Sequence, residues 1–305
     1  MLKKLKKIIK NNIYLFFLYK YLIALKNKLL YSNAERAEKY LEKQYKLIVG
    51  KKLNLKKLET FTEKVQHRKL YPDNILFTTC ADKYLVREYV KEKIGEEYLI
   101  PLYLATEMLT LNQWKELPNS FVVKPNHDSG NFEIVQDKRN LSRSEAKRII
   151  AKMNLALKIN FGWLMLEKHY IDIKPRIIIE KLLLTEKNKL PTDYKFYCFK
   201  NKILVQIIER DIETHEIKMK FLDKNWESLG IKREKGEIKD IIKPKNFEKM
   251  IELAKKLSED FNYVRIDFYN IEGKIYFGEL TFTPASGFMK FNPDIWDKKL
   301  GGYWV

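Results

Sequence analysis

Cysteine is nearly absent from the chain. Cys80 and Cys198 are the two present, far apart and with no CxxC or His–Cys cluster around either. They cannot build a disulfide framework or a thiolate zinc site, so a reducing, cytoplasmic setting is expected. Glycine and proline are sparse too, at 11 and 9 residues of 305, which excludes collagen-like and Pro-rich low-complexity classes. The first thirty residues lack any acidic side chain while carrying eight lysines. Their apolar run Ile13–Tyr19 stops at Lys20, well short of the ~18–20 residues a spanning helix needs. No small-residue cleavage site follows it, so it does not read as a signal peptide.

What is present is the composition of a folded protein. Apolar residues make up 45% of the chain, enough to offset chain entropy and exclude a disordered tail. The length fits roughly two domains. The net charge of +19 asks for a nucleic acid, an anionic membrane surface or a phosphate-rich substrate as partner. Aromatic and basic residues are not interleaved in any nucleic-acid-reading motif, so nucleic acid is the least favoured of these and no nucleic-acid partner is expected.

Residues 1–46 read as a basic helical extension, able to lie in the headgroup region of an acidic leaflet or to pack on the rest of the chain. Its second, polar helix runs from about Asn33 to Lys46. Residues 47–117 read as an α/β region, and 118–305 as the main domain, in subdomains of about 118–182 and 183–305. Asp82 is expected to cap a helix with its apolar stripe at Leu85, Val86, Tyr89, Val90 and Ile94, and Gly95 to close it in a left-handed conformation. Phe121–Pro125 reads as a buried strand leading through Asn126–Asn131 into Phe132–Val135. Ser142-x-x-Glu145 is a capping box opening a helix to about Leu157, with Leu141 as its staple. Arg176–Leu184 is a β-branched run, and Lys195–Arg210 a hairpin turning at Lys200–Lys202. Asn246 is expected to cap a helix whose Phe247, Met250, Ile251, Ala254 and Leu257 share a face. Val264–Tyr269 and Lys274–Phe282 form a last hairpin turning at Glu272–Gly273. Interleaved helices and hairpins favour an antiparallel-rich α+β fold.

The chemistry-bearing residues gather on that last hairpin. Arg265 and Asp267 lie two apart on one strand, and Glu279 and Thr281 two apart on its partner, so each pair shares a face. If the strands pair across the turn, two carboxylates converge beside a guanidinium. Hard oxygen ligands with open positions suit Mg²⁺ completed by substrate phosphates. The alternative is a surface cross-strand ion pair worth only ~0.5 kcal/mol. Lys124, emerging from an apolar strand into the Gly/Ser turn of Asn126–Gly130, can meet a phosphate or merely reach water. His127 fits a hydrogen-bonded loop histidine better than a catalyst. Asp193 and Lys195 form another same-face pair, and Arg176 and Arg210 are cations at strand ends, Arg210 flanked by Glu209 and Asp211.

The order of these motifs resembles the ATP-grasp superfamily, and within it the TupA-like proteins of teichuronopeptide biosynthesis. The resemblance runs from about Asp82 to Gly302. It rests on Asp82–Val90, Phe121–His127, Lys174–Lys181, Pro191–Phe199, and Val264–Asp267 through Gly278–Pro284. It implies an ATP-grasp fold, two α+β subdomains gripping ATP between antiparallel sheets, here with an N-terminal helical extension. By the same resemblance Lys83 and Lys124 would hold ATP phosphates under a flexible cover formed by Asn126–Asn131, including His127, Ser129 and Gly130. Glu180, Lys181 and Leu182 would lie at the hinge that reads adenine. Asp193, Lys195 and Arg210 would stand near the γ-phosphate and the acceptor. Arg265 would steady the carboxylate or acyl phosphate, and Asp267, Glu279 and Thr281 would bind Mg²⁺.

The implied activity is ATP-dependent, ADP-forming carboxylate–amine ligation through an acyl phosphate. Its partners would be a carboxylate-bearing glycan or uronic acid and an amine or amino acid, in cell-envelope polysaccharide synthesis at the inner membrane face. The chain departs from the family pattern at Thr281, where asparagine is common, and at Asp128 and Asn131, where relatives often carry glycine. Asp128 would repel a triphosphate unless turned outward or bridged by metal. The rival readings are a glycosyltransferase, an ATP-dependent sugar phosphotransferase, and an inactive ATP-grasp fold binding a membrane or polyanion.

Overall fold

The computed structural model describes residues 12–210, 214, 216–232 and 236–305. The lysines at positions 3, 4, 6, 7 and 10, and Asp211, lie outside the described residues. In chain order, α1 (Ile13–Tyr31) begins at Asn12, whose side-chain oxygen accepts the Tyr14 and Leu15 amides. α2 (Ala34–Val49) begins just after Asn33, which accepts the Arg36 amide. α3 (Phe61–Leu70) opens with a Thr60–Glu63 capping box. α4 (Leu76–Ala81), α5 (Val86–Ile94), β1 (Leu102–Thr106), α6 (Leu111–Glu116), β2 (Phe121–Pro125) and β3 (Glu133–Val135) follow. α7 (Arg143–Ala156) carries the expected Ser142–Glu145 box. Next come α8 (Phe161–Met165), β4 (Ile177–Glu180), β5 (Asp193–Phe199), β6 (Lys202–Arg210), β7 (Ile217–Asp223) and β8 (Gly236–Glu237). α9 (Phe247–Ser258), β9 (Tyr263–Ile271), β10 (Lys274–Thr281) and α10 (Ile295–Tyr303) complete the described elements.

Three local expectations are corrected. Asp82 caps no helix: α5 begins at Val86, and the Asp82 carboxylate instead accepts the Tyr84 amide and the Asn126 side chain, each at 2.8 Å. Gly95 has positive φ but extended ψ (113°, 155°), so it leaves α5 straight into a following turn and is not left-handed helical. Asn246 makes no cap bond, because its amide is taken by the Gly273 carbonyl and its oxygen by Asn270. For Asp82 and Asn246 a partner distant in sequence takes the group that would have capped.

The chain forms two compact units. One takes the chain through Lys39, then Asp82–Tyr84 and Pro101–Leu182; the other holds Tyr40–Ala81, Leu85–Ile100 and Leu183–Val305. The first contains a four-stranded antiparallel sheet in the order β1–β4–β2–β3. Its residues 121, 123, 177 and 179 share one face, and these fully buried side chains pack with Ile149, Ile150 and Met153 of α7 and Trp114 of α6. Each such side chain contributes roughly 2 kcal/mol by leaving water. Period-two alternation therefore puts Val122, Lys124, Ile178 and Glu180 on the opposite face.

The second unit contains a six-stranded sheet, β10–β9–β5–β6–β7–β8, antiparallel except for β7–β8. Phe196, Cys198, Ile266 and Phe268 are buried on one face, where α9 packs on β5 and β9 and the rings of Phe196 and Phe247 stack 6.0 Å apart. The opposite face is divided along its length. At the Phe199 end, Tyr197, Phe199, Leu204 and Tyr263 pack with Phe61 and Val65 of α3 and with Leu300 and Trp304. At the Asp193 end, the same alternation presents charged residues.

Candidate functional site

The charged end of the second sheet is built by register. Lys195 pairs with Asp267 across β5 and β9, and Asp267 with Glu279 across β9 and β10. The second pairing depends on a β-bulge. Up to Phe277, opposite Phe268, the β9–β10 ladder is regular; one residue is then skipped and Glu279 stands opposite Asp267. Without that extra residue Glu279 would face Ile266 and point to the apolar side of the sheet. The inserted residue is Gly278. A Cβ there would lie 3.1 Å from the Asp267 carbonyl oxygen and 3.3 Å from the Tyr269 ring.

The resulting cluster interlocks. Arg265 donates from Nε to Asp267 Oδ1 at 2.7 Å, and from Nη2 to Asp267 Oδ2 and Glu279 Oε1 at 2.8 Å each. The Thr281 hydroxyl donates to Glu279 Oε1 at 3.0 Å. Lys195 Nζ bonds Asp267 Oδ2 and stands 3.4 Å from Asp193 Oδ2, as does Arg210 Nη2. Side-chain exposure is 12% for Arg265, 8% for Lys195 and 4% for Asp267, so this is not a solvated surface pair. Burial alone would lower the Arg265 guanidinium, but Asp267 and then Glu279 more than offset it and raise it well above its ordinary value. Burial pushes the Asp267 carboxyl up, against the opposing pull of Arg265 and Lys195. Three carboxylates and three cations thus balance within one sheet face.

Whether this set suits a divalent cation can be judged from its donors. Asp267, Glu279 and Thr281 offer hard oxygens on adjacent strands. Asp193 Oδ1 is buried and accepts no hydrogen bond among the described residues. Among those residues no three His, Cys, Asp or Glu side chains gather closely enough to hold a metal unaided. The donors fit an ion such as Mg²⁺, which takes one or two carboxylates and fills its other positions with water and phosphate.

In the first unit, Lys124 and Glu180 meet at 2.6 Å on the sheet face away from α7. Beyond Glu180 the Lys181 amide pairs with the Pro101 carbonyl at 2.9 Å, and Leu182 is buried. Lys83 is tied to the loop after β2: its backbone amide donates to the Asn126 carbonyl at 3.1 Å and its Nζ to the Asp128 carbonyl. The loop tip, Ser129 and Gly130, is exposed. His127 is not at that tip: its ring is buried and Nε2 bonds the Ile159 carbonyl at 3.0 Å, and burial lowers its pKa. Asp128 is neither turned outward nor left unbonded. It is 4% exposed and its carboxylate accepts from the Asn131 amide. Burial raises its pKa, with Lys83 pulling the other way.

The sequence-chosen residues therefore fall into two sets. Lys83, Lys124, His127, Ser129, Gly130, Glu180, Lys181 and Leu182 belong to the first unit; Asp193, Lys195, Arg210, Arg265, Asp267, Glu279 and Thr281 belong to the second. Gly278 was not among them. Its signal is visible, since a lone glycine inside an apolar strand marks a bulge or a close backbone approach.

Residues 63–305 match the family described as TupA-like ATPgrasp. No curated protein matches the chain. Among solved structures, D-alanine–D-alanine ligase from Bacillus anthracis is similar at 17% identity and a TM-score of 0.44, over 75% of this chain and 68% of that one. The corresponding ligase from Helicobacter pylori is similar at 16% identity and a TM-score of 0.44, over 80% and 68%. L-amino acid ligase from Bacillus licheniformis is similar at 11% identity and a TM-score of 0.42, over 74% of this chain and 49% of that one.

Proposed function

Because the chain belongs to the TupA-like ATP-grasp family, we propose that it is an ADP-forming carboxylate–amine ligase acting on a cell-envelope polysaccharide. The observation that carries the reading is the bulge-made cluster of Arg265, Asp267, Glu279 and Thr281 on the strands where the family resemblance places metal and acyl-phosphate ligands. Asp267 and Glu279, with Thr281 as a neutral third donor, would hold Mg²⁺, which would neutralise phosphate charge. Arg265 would orient the acceptor carboxylate. Lys195 and Arg210 would draw the transferred phosphoryl group, with Asp193 holding both cations in place.

In the first unit, Lys124 and Lys83 would bind phosphate oxygens, Ser129 and Gly130 would cover them, and Glu180, Lys181 and Leu182 would contact adenine. The Asp128 carboxylate accepts from the Asn131 amide and lies near the Lys83 ammonium, which offsets its charge toward a triphosphate. The reaction is in-line attack of a carboxylate oxygen on the γ-phosphorus, breaking its bond to the β-γ bridging oxygen. An amine then displaces phosphate from the acyl carbon and loses a proton. Positioning and charge balance suffice, so no protein nucleophile is needed. A uronic acid would supply the carboxylate and an amino acid or amine the nucleophile. An acceptor carried on lipid at the inner membrane face would give the lysine-rich terminus a place to work.

The test is ADP release from ATP, screened over uronic acids paired with amino acids. Turnover should require both acceptors and free phosphate as product. Glu279→Gln and Lys124→Ala should each lower it by at least ~10³-fold, with unchanged circular dichroism. Unchanged rates in both variants would remove the site assignment. Consumption of a nucleotide-sugar without ATP would favour the glycosyltransferase, phosphate retained on a sugar the phosphotransferase, and an intact fold that ignores Mg-ATP the inactive module.

A further inference from the structure

Helix α1 is inverted relative to an ordinary surface helix. Its inner seam includes Phe17, Ala24 and Asn27, all buried, with Phe17 against Ala156 and Ile159. Asn27 donates to the Trp163 and Leu164 carbonyls at 3.0 and 3.3 Å, which fixes the rotation of the helix on α8. Lys20 is half-buried on the same side. The outward side is apolar: Tyr14, Leu18, Leu22, Leu25 and Leu29 are exposed by 62, 52, 53, 42 and 70%. Their spacing of three or four residues makes one continuous stripe, opposite the seam. An exposed apolar stripe of this length on a helix already docked by its other face marks a contact surface.

Charge selects the partner. Residues 12–31 contain Lys20, Lys26 and Lys28 and no acid. At about 100° per residue, Lys26 and Lys28 fall on opposite flanks of the outward stripe, where their stems can run along apolar surface and their ammonium groups reach polar headgroups. A second copy of α1 would bring further lysines and no acid to the contact. An anionic leaflet neutralises them. Tyr14, Tyr19 and Tyr21 are also exposed, and tyrosine is favoured at the depth where acyl chains meet headgroups. No helix among the described residues is long and apolar enough to cross a membrane.

We infer that α1 lies in the plane of an anionic leaflet, its Tyr14–Leu29 stripe among the acyl chains and Lys26 and Lys28 at the headgroups. The helix thereby holds the first unit to the membrane: Ile159, against which Phe17 packs, also receives the His127 bond from the loop after β2. This rests on α1 alone and is independent of the reaction proposed above.

The test is co-sedimentation of the full chain with vesicles of phosphatidylglycerol and phosphatidylcholine, or of phosphatidylcholine alone, without nucleotide. Binding to the anionic vesicles should exceed binding to the neutral ones by at least ~10-fold and fall with salt. The triple variant Leu18→Glu, Leu22→Glu, Leu25→Glu should lose at least ~10-fold of the anionic binding while keeping its melting temperature, since all three side chains are solvent-facing. Equal binding by the variant, or no binding by the parent chain, overturns the inference. A dimer in sedimentation equilibrium that the variant dissolves, without vesicle binding, would assign the stripe to a second copy.

Discussion

Arg265 is the residue on which the charged cluster turns. It touches both Asp267 and Glu279, and it is nearly buried. Removing one partner of a buried ion pair leaves an uncompensated charge, so Arg265→Met should cost about 3 kcal/mol in urea unfolding. A null effect would mean that Lys195 suffices to hold Asp267. In the first unit, burial lowers the His127 pKa below its usual 6.5. The sign follows: a depressed folded-state value stabilises the fold above pH 6.5, and that contribution is lost as pH falls toward the depressed value. Between those limits stability should drop by up to about 1.4 kcal/mol per pH unit. His127→Asn should remove that slope, as pH-dependent melting would show.

Among the elements, the β9–β10 hairpin matters most. Its turn at Glu272–Gly273 and its alternating pattern are local, and both were legible in the sequence. Its bulge is the feature that sends Glu279 to the Asp267 face. Gly278→Ala would press a methyl against the Asp267 carbonyl, so it should cost about 1 kcal/mol and weaken Mg-ATP binding more than an exposed alanine substitution does. Calorimetry beside urea unfolding separates the two effects. Unaltered binding and stability would show that the bulge relaxes around the added carbon. α1 makes the complementary point. Its composition left membrane contact and packing open as alternatives, and the structure shows packing through one seam with the apolar majority still facing out.

Across the whole molecule, segments far apart in sequence combine within each unit. The second unit takes both cysteines, and burial pushes each thiol up to about 12. Neither should react with a thiol reagent at pH 8 in the native state, and both should react on denaturation. Reaction rates followed against urea would then report the opening of that unit. Rapid labelling of either thiol without denaturant would contradict the packing around α4 or β5. The span expected as a separate α/β region, residues 47–117, is shared out: α3, α4 and α5 group with the second unit, while β1 joins the first unit's sheet.

What the sequence determined by itself was local or strictly ordered. The Ser142–Glu145 capping box, the hairpin turns, the same-face pairs Arg265–Asp267 and Glu279–Thr281, and the succession of motifs that points to the family all depend on neighbours or on chain order. Hydrogen bonds within a turn and alternation along a strand are settled over a few residues, so they can be read there. Only the tertiary structure decided the inward burial of Asp128, the partners that drew Asp82 and Asn246 away from capping, and the inverted setting of α1. Those features depend on groups from other segments, such as Asn126, 44 positions from Asp82, and Trp163, 136 positions from Asn27, and burial has no value until such segments meet.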